Sequence, residues 1–247
     1  MIYKDFIFIH IPKTAGSTIR SSLNKNSKLL YNGSPLNFKR IGIKKNDLLK
    51  NSNVKIYDFV DHMPYQAIKE IKHKIPNIIF TFVRNPYSRA VSLYFECIRN
   101  TKLRNELQIT KNISFNEFLN NIKNKQHWFT LSMVQYIGKE NIKKISFIGK
   151  IEKFKSDTKK LEVKYNIIID NNFHNYNNSI GFKYLPSNYT DYYNNEKNIE
   201  LVNIIYSEDF KTFNYNFNDF VIYEKNKTNK VIIAKNLISR FLKRKFK

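Results

Sequence analysis

The stretch 5-DFIFIHIPKTAGSTIRSSL-23 decides the fold. Phe6 to Ile9 form a continuous apolar run that passes through His10, Ile11 and Pro12 into Lys-Thr-Ala-Gly-Ser-Thr, and residues suited to a helix follow. A strand that feeds such a turn into a helix is how α/β proteins grip phosphate. The first N–H groups of the helix lack intrahelical partners and sit at the positive end of its dipole. Here Lys13 precedes Gly16 and no glycine opens the loop, the reverse of the GxxxxGK[ST] order of nucleotide hydrolases. Ala15 and Gly16 are expected to keep the approach open. The hydroxyls of Thr14, Ser17 and Thr18 should add donors, and Lys13 should carry a full charge to a bridging or leaving oxygen.

Outward from this stretch, 6-FIFIHI-11, 54-VKIYDFV-60, 78-IIFTFV-83 and 145-ISFIG-149 are short, β-branched or aromatic and nearly continuous, as strands covered on both faces are. Helical patterns lie between them over about 16–25, 64–73, 86–99, 114–122, 126–137 and 152–164. A long Asn/Tyr-rich loop covers about 170–195 and a helix follows around 196–207. The alternation predicts an α/β fold with a central, mainly parallel sheet flanked by helices. Asn85 suits an N-cap and Pro86 a first helical position. Ligands of such sheets bind beyond the carboxyl ends of the strands, so the 10–18 turn and the 84–92 segment can face one ligand.

The second segment is 80-FTFVRNPYSRAVSLYFE-96. Arg84 at the strand end offers a guanidinium fork, and Ser92, two turns into the helix, a hydroxyl; together they make a second phosphate site. The plainer alternative gives Arg84 a structural ion pair and Ser92 a place on the helix surface. Two phosphate sites at adjacent strand ends imply a nucleoside with phosphates at both ends. Asp58 lies inside its strand and Asp61 just past it, and neither is a compelling magnesium ligand. Without a metal a triphosphate would be poorly neutralised, so a single phosphate joined to a less charged group fits better.

The 247 residues are enough for one large domain, here 1–224, with 225–247 as an appendage. With 42% hydrophobic and 15% aromatic residues the chain can bury a core. A net charge of +23 invites a polyanion partner, but the lysines are scattered, which also fits a general Lys, Asn and Ile bias. Cys97 alone supports neither a disulfide framework nor a thiolate metal cluster. No apolar run approaches the roughly 18 to 20 residues of a spanning helix. The first strand follows Met-Ile-Tyr-Lys-Asp directly, so the expectation is a soluble, cytoplasmic chain without a signal peptide. In 225–247, Val231, Ala234, Leu237, Ile238, Phe241 and Leu242 recur at helical spacing among Lys and Arg. That amphipathic basic helix either lies peripherally on an anionic membrane or docks on the domain.

Taken together, 8-FIHIPKTAGST-18 resembles the 5′-phosphosulfate loop, and 82-FVRNPYSRAVSLY-94 the 3′-phosphate motif, of sulfotransferases that use 3′-phosphoadenosine 5′-phosphosulfate (PAPS). The resemblance is closest to the carbohydrate branch that includes the heparan sulfate 2-O-sulfotransferases. Weaker echoes are 148-IGKIEKF-154 and 206-YSEDFKTFNY-215. The resemblance implies a three-layer, P-loop-like α/β fold and PAPS as donor, with no metal. It places Lys13 on the phosphosulfate, Thr14, Ala15, Gly16, Ser17 and Thr18 around the 5′-phosphate, and Arg84 with Ser92 on the 3′-phosphate. The acceptor would be a hydroxyl of a carbohydrate or glycolipid.

Sulfuryl transfer to a hydroxyl also needs a base. Of His10, His62, His73, His127 and His174, His62 follows the 54–60 strand at the ligand-binding edge, and 61-DHMPY-65 resembles the setting of the base in that branch; Asp61 is the alternative. His10 is expected to pack or hydrogen-bond. Trp128 either stacks on adenine or belongs to the core, and Arg89 either helps hold an anion or makes a surface ion pair. Two rivals remain: a P-loop-type nucleotide kinase or hydrolase, and a non-catalytic basic module. Nucleic acid is disfavoured as a partner because no recognition motif accompanies the charge.

Overall fold

The apolar runs on either side of the Lys13 turn meet as neighbours. The computed structural model describes residues 1–31, 62–69, 76–125, 127–170 and 189–217. Five strands, β1 (Ile2–Tyr3), β2 (Phe6–Ile9), β3 (Leu29–Tyr31), β4 (Ile78–Val83) and β5 (Phe147–Lys150), form one sheet in the order β3–β1–β2–β4–β5. β2 and β4 are parallel, with Phe6 opposite Ile78 and Ile9 opposite Thr81. β4 and β5 are parallel, with Phe80 opposite Phe147 and Val83 opposite Lys150. β1 runs antiparallel to both β2 and β3.

The sheet of the described residues is therefore mixed, which corrects the expectation of a mainly parallel one. Lys4 and Asp5 fold the first residues back on β2, and the Phe8 N–H bonds to Met1 O at 3.0 Å. Strands of two and three residues are too short to show a period in sequence.

Strand alternation sends Phe6, Phe8, Phe80 and Phe82 to one face. There they pack with Ile19 and Leu23 of α1 (Gly16–Asn26) and with Phe154 and Leu161 of the helix Phe154–Tyr165. Phe8 stacks on Phe80 at 5.1 Å, and Gly149 leaves the room that the Phe82 ring occupies. Ile7, Ile9, Ile79 and Val83 face the other way, onto α3 (Pro86–Arg99) and the helices behind it. Both faces are covered, which is why the strands read as unbroken apolar runs. Thr81 is the polar exception, and its hydroxyl donates to Ile9 O at 2.8 Å, so burial leaves it satisfied.

Helix α3 starts where capping predicts. Asn85 accepts from Tyr87 N and Ser88 N, with Pro86 next. The expected helix over 126–137 is corrected: residues 128–130 form a turn, and only Met133–Ile137 is helical. Ser132 and Gln135 build a capping box that starts this helix afresh. Of 64–73, Tyr65–Lys69 (α2) is helical. Thr101–Leu107, Phe115–Asn124, Glu196–Ile205 and an unexpected Ser207–Thr212 are further helices among the described residues. The 54–60 strand, His73, His174, most of the 170–195 loop, the boundary at 224 and the 225–247 tail lie outside the described residues. None of the described helices is long and apolar enough to cross a membrane.

Candidate active site

The loop from Ile9 to Lys13 has every carbonyl held by a side chain. Thr81 Oγ1 donates to Ile9 O at 2.8 Å, His62 Nδ1 to His10 O at 3.0 Å and Thr14 Oγ1 to Ile11 O at 2.9 Å. Arg89 Nε donates to Pro12 O at 3.1 Å and Arg84 Nη1 to Lys13 O at 3.3 Å. In a trans peptide the N–H points opposite the C=O, so pinning the carbonyls of Pro12 and Lys13 turns the N–H groups of Lys13 and Thr14 the other way. Lys13 (φ 66°) and Ala15 (φ 59°) are left-handed on either side of Thr14. Such alternation gathers successive N–H groups into an anion-binding concavity. Two non-glycine residues hold this conformation there without a glycine to ease it.

Helix α1 adds to these donors. Its N-cap, Ala15, makes no side-chain hydrogen bond, and the first turn holds no acid. Among the described residues no hydrogen bond engages the N–H groups from Lys13 to Thr18. Two expectations need correction. The Thr14 hydroxyl is buried and spent on Ile11 O, so it is no donor to a ligand. Gly16 does not open the approach: it is buried, and a Cβ there would overlap the His10 ring. Ser17 is exposed and Thr18 half-buried, which leaves both hydroxyls accessible.

Arg84 stands past the end of β4, where its Nε meets Ser88 Oγ at 2.9 Å. Ser88, Ser92 and Glu96 follow at i, i+4 spacing and share one face of α3. Lys13 Nζ ends on that face, 3.1 Å from Glu96 Oε2, and Glu96 also binds Arg99. Arg84, Ser92 and Lys13 are thus gathered along one helix face. Burial pushes the Lys13 ammonium below its ordinary value, Glu96 pulls it back, and the nearby charges of Arg99 and Arg84 lower it further. Behind Arg84, Glu152 accepts from Asn85 N at 2.6 Å and from Tyr215 Oη at 2.9 Å.

His62 closes the other side. Its ring lies 4.0 Å from that of His10, 6.0 Å from Trp128 and 6.3 Å from Phe129. A carbonyl only accepts, so the bond to His10 O assigns the proton to Nδ1 and the lone pair to Nε2. Burial, with smaller contributions from the Lys13 and Arg20 charges, lowers its pKa to about 4 against the bond to His10, which raises it. The imidazole is therefore neutral near pH 7. Asp61 lies outside the described residues. Trp128 packs against the core as well as near His62, and His127 is tied to Glu106 at 3.0 Å.

The roles of Glu96, Ser88 and Arg89 escaped sequence reading. The 84/88/92/96 spacing signals one face, but nothing in it says that Lys13 reaches that face. Arg89 is fully buried and not at the surface in an ion pair; its Nε and Nη2 go to backbone carbonyls.

The parallel strand ends of a mixed α/β sheet thus carry an open amide loop, two cations and a neutral imidazole, a set of groups suited to an anion. A family model described as the sulfotransferase family matches residues 3–216, and the chain belongs to that family. No curated protein and no solved structure matches it.

Proposed function

We propose that the protein moves a sulfuryl group from PAPS to a hydroxyl of a carbohydrate or glycolipid, in the manner of the branch that includes the heparan sulfate 2-O-sulfotransferases. The observation that carries this reading is the set of unengaged N–H groups from Lys13 to Thr18 lying beside both Lys13 and Arg84. These residues fit a phosphosulfate: amide donors and the Ser17 and Thr18 hydroxyls for the 5′-phosphate, Arg84 with Ser92 for the 3′-phosphate. PAPS supplies the sulfuryl group, attached to a phosphate that leaves readily.

Within the chain, Lys13 is placed to stabilise the oxygen on which charge develops. His62 Nε2 takes the acceptor proton while Nδ1 stays bonded to His10 O. In the transfer the acceptor O–S bond forms, the S–O bond to phosphate breaks in line, and the proton goes to His62. A bound polyanion would offset the Lys13 and Arg20 charges, the smaller of the causes that depress the imidazole after burial. We further propose a cytoplasmic protein whose 225–247 segment contacts an anionic membrane. Incubation with sulfur-labelled PAPS and a panel of neutral and acidic glycans and glycolipids tests the reading. Label should pass to at least one acceptor in wild type and not in Lys13→Ala; no transfer to any sugar would defeat it.

A further inference from the structure

Arg89, on the second turn of α3, is fully buried. Its Nε donates to Pro12 O at 3.1 Å, its Nη2 to Leu131 O at 2.9 Å, and its guanidinium lies 5.6 Å from the Tyr206 ring centre. Among the described residues Nη1 has no hydrogen-bond partner and no carboxylate forms an ion pair with Arg89. The facing acid, Asp209, spends its oxygens on Met133 N and Val134 N at 2.9 and 2.8 Å. The Arg89 charge favours the ionised Asp209 carboxylate, but Nη1 is still buried without an acceptor, a cost that an apolar residue in the same space would avoid. Packing alone does not account for it.

We propose that Arg89 is a positioning residue for sulfuryl transfer, locking the donor loop to the turn that walls His62; this rests on the function proposed above. Through Pro12 O it directs the Lys13 N–H toward the donor side. Through Leu131 O it fixes the turn that bears Trp128 and Phe129, the rings beside His62. A planar fork holds two carbonyls at a set separation, which a flexible ammonium cannot do. Arg89 therefore sets the spacing between the donor loop and the base without touching either reactant.

The test compares Arg89→Lys with Tyr206→Phe, which loses the bond from the Tyr206 hydroxyl to Thr130 O (3.2 Å) in the same pocket but keeps the fork. Melting temperature, turnover and affinity for 3′-phosphoadenosine 5′-phosphate (PAP) are measured for each. Arg89→Lys should lose about a hundredfold in kcat, the scale of small misplacements, and about tenfold in PAP affinity, 1.4 kcal/mol. Tyr206→Phe should lose stability and keep both constants. Arg89→Lys with wild-type constants overturns the proposal, as does Tyr206→Phe losing activity in step with stability. If Arg89→Lys does not fold, a crystal structure of wild type with PAP decides: both Arg89 bonds must persist, and departure of Pro12 O overturns the proposal. Failure of wild type to bind PAP at all defeats the functional reading together with this one; binding that Arg89→Lys leaves unchanged defeats this one alone.

Discussion

Helices α1 and α3 begin after neighbouring parallel strands, and they open in opposite ways. At α3 the Asn85 side chain takes the Tyr87 and Ser88 N–H groups and Pro86 has none to offer. At α1 the N-cap is Ala15 with no capping bond, in a left-handed conformation. A capped start spends its amides on stability; an uncapped one keeps them for an anion. The capped helix contributes the side chains of Ser92 and Glu96 instead, in line with Arg84 just before it. On the function proposed above, the difference means that the two phosphates of the donor would be met by different chemistry: backbone amides with Lys13 at one end, a guanidinium fork and a hydroxyl at the other.

The sharpest way to break this comparison is at the reacting end. Lys13→Ala should lower kcat by about a hundredfold or more, the scale of a lost oxyanion donor, in a single-turnover assay with saturating donor. A near-normal rate would take Lys13 out of the chemistry. At the other end, Arg84→Ala should weaken PAP by about tenfold or more, as a lost charge-assisted pair does. It should leave the affinity for adenosine 5′-phosphate, which lacks the 3′-phosphate, much less changed. Equal losses for both ligands in calorimetry would place Arg84 on something other than the 3′-phosphate.

Exchanging the caps sharpens the contrast. Ala15→Asp puts a carboxylate at the open helix start, in a left-handed conformation that Asp tolerates. Thermal stability should hold or rise by about 0.5 kcal/mol, while PAP binding falls. Asn85→Ala should cost about 1 kcal/mol in urea unfolding, the ordinary worth of an N-cap.

The smallest effect concerns pH. His62 titrates at about 4 in the folded protein and at its ordinary 6.5 when unfolded. The unfolded chain therefore takes the proton first, and His62 makes stability fall as pH drops from 6.5 toward 4. Asp209, raised by burial from 3.8 to about 6, acts oppositely: its contribution is present below 3.8 and lost as pH rises through 6. Urea midpoints across this range for wild type and His62→Ala isolate the first effect, and identical slopes would contradict the assignment.

Much of the scaffold was legible before the structure. β2, β4 and β5 announce themselves as apolar runs because both faces are buried, and α3 through Asn85 and Pro86 because capping is local chemistry. The loop's position after β2 follows from the same stretch. What stayed hidden depends on distance across the fold. β1 and β3 are strands only because β2 and each other are there to pair with. The Ser132 and Gln135 capping box that starts Met133–Ile137 is local and went unread; only the hold of Asp209, 76 residues downstream, on the Met133 N–H is hidden by distance. Nothing local in Arg89 says that it reaches Pro12. The Thr14 hydroxyl looked free because its acceptor, Ile11 O, is set by a left-handed turn at Lys13 that no glycine signals.

Titration calorimetry with PAP, in EDTA and again with magnesium, and with ATP as the competitor, tests the central claim most directly. The account predicts a single PAP site whose affinity magnesium leaves unaltered and ATP binding that is weaker. Tight, magnesium-dependent ATP binding with no response to PAP would contradict it.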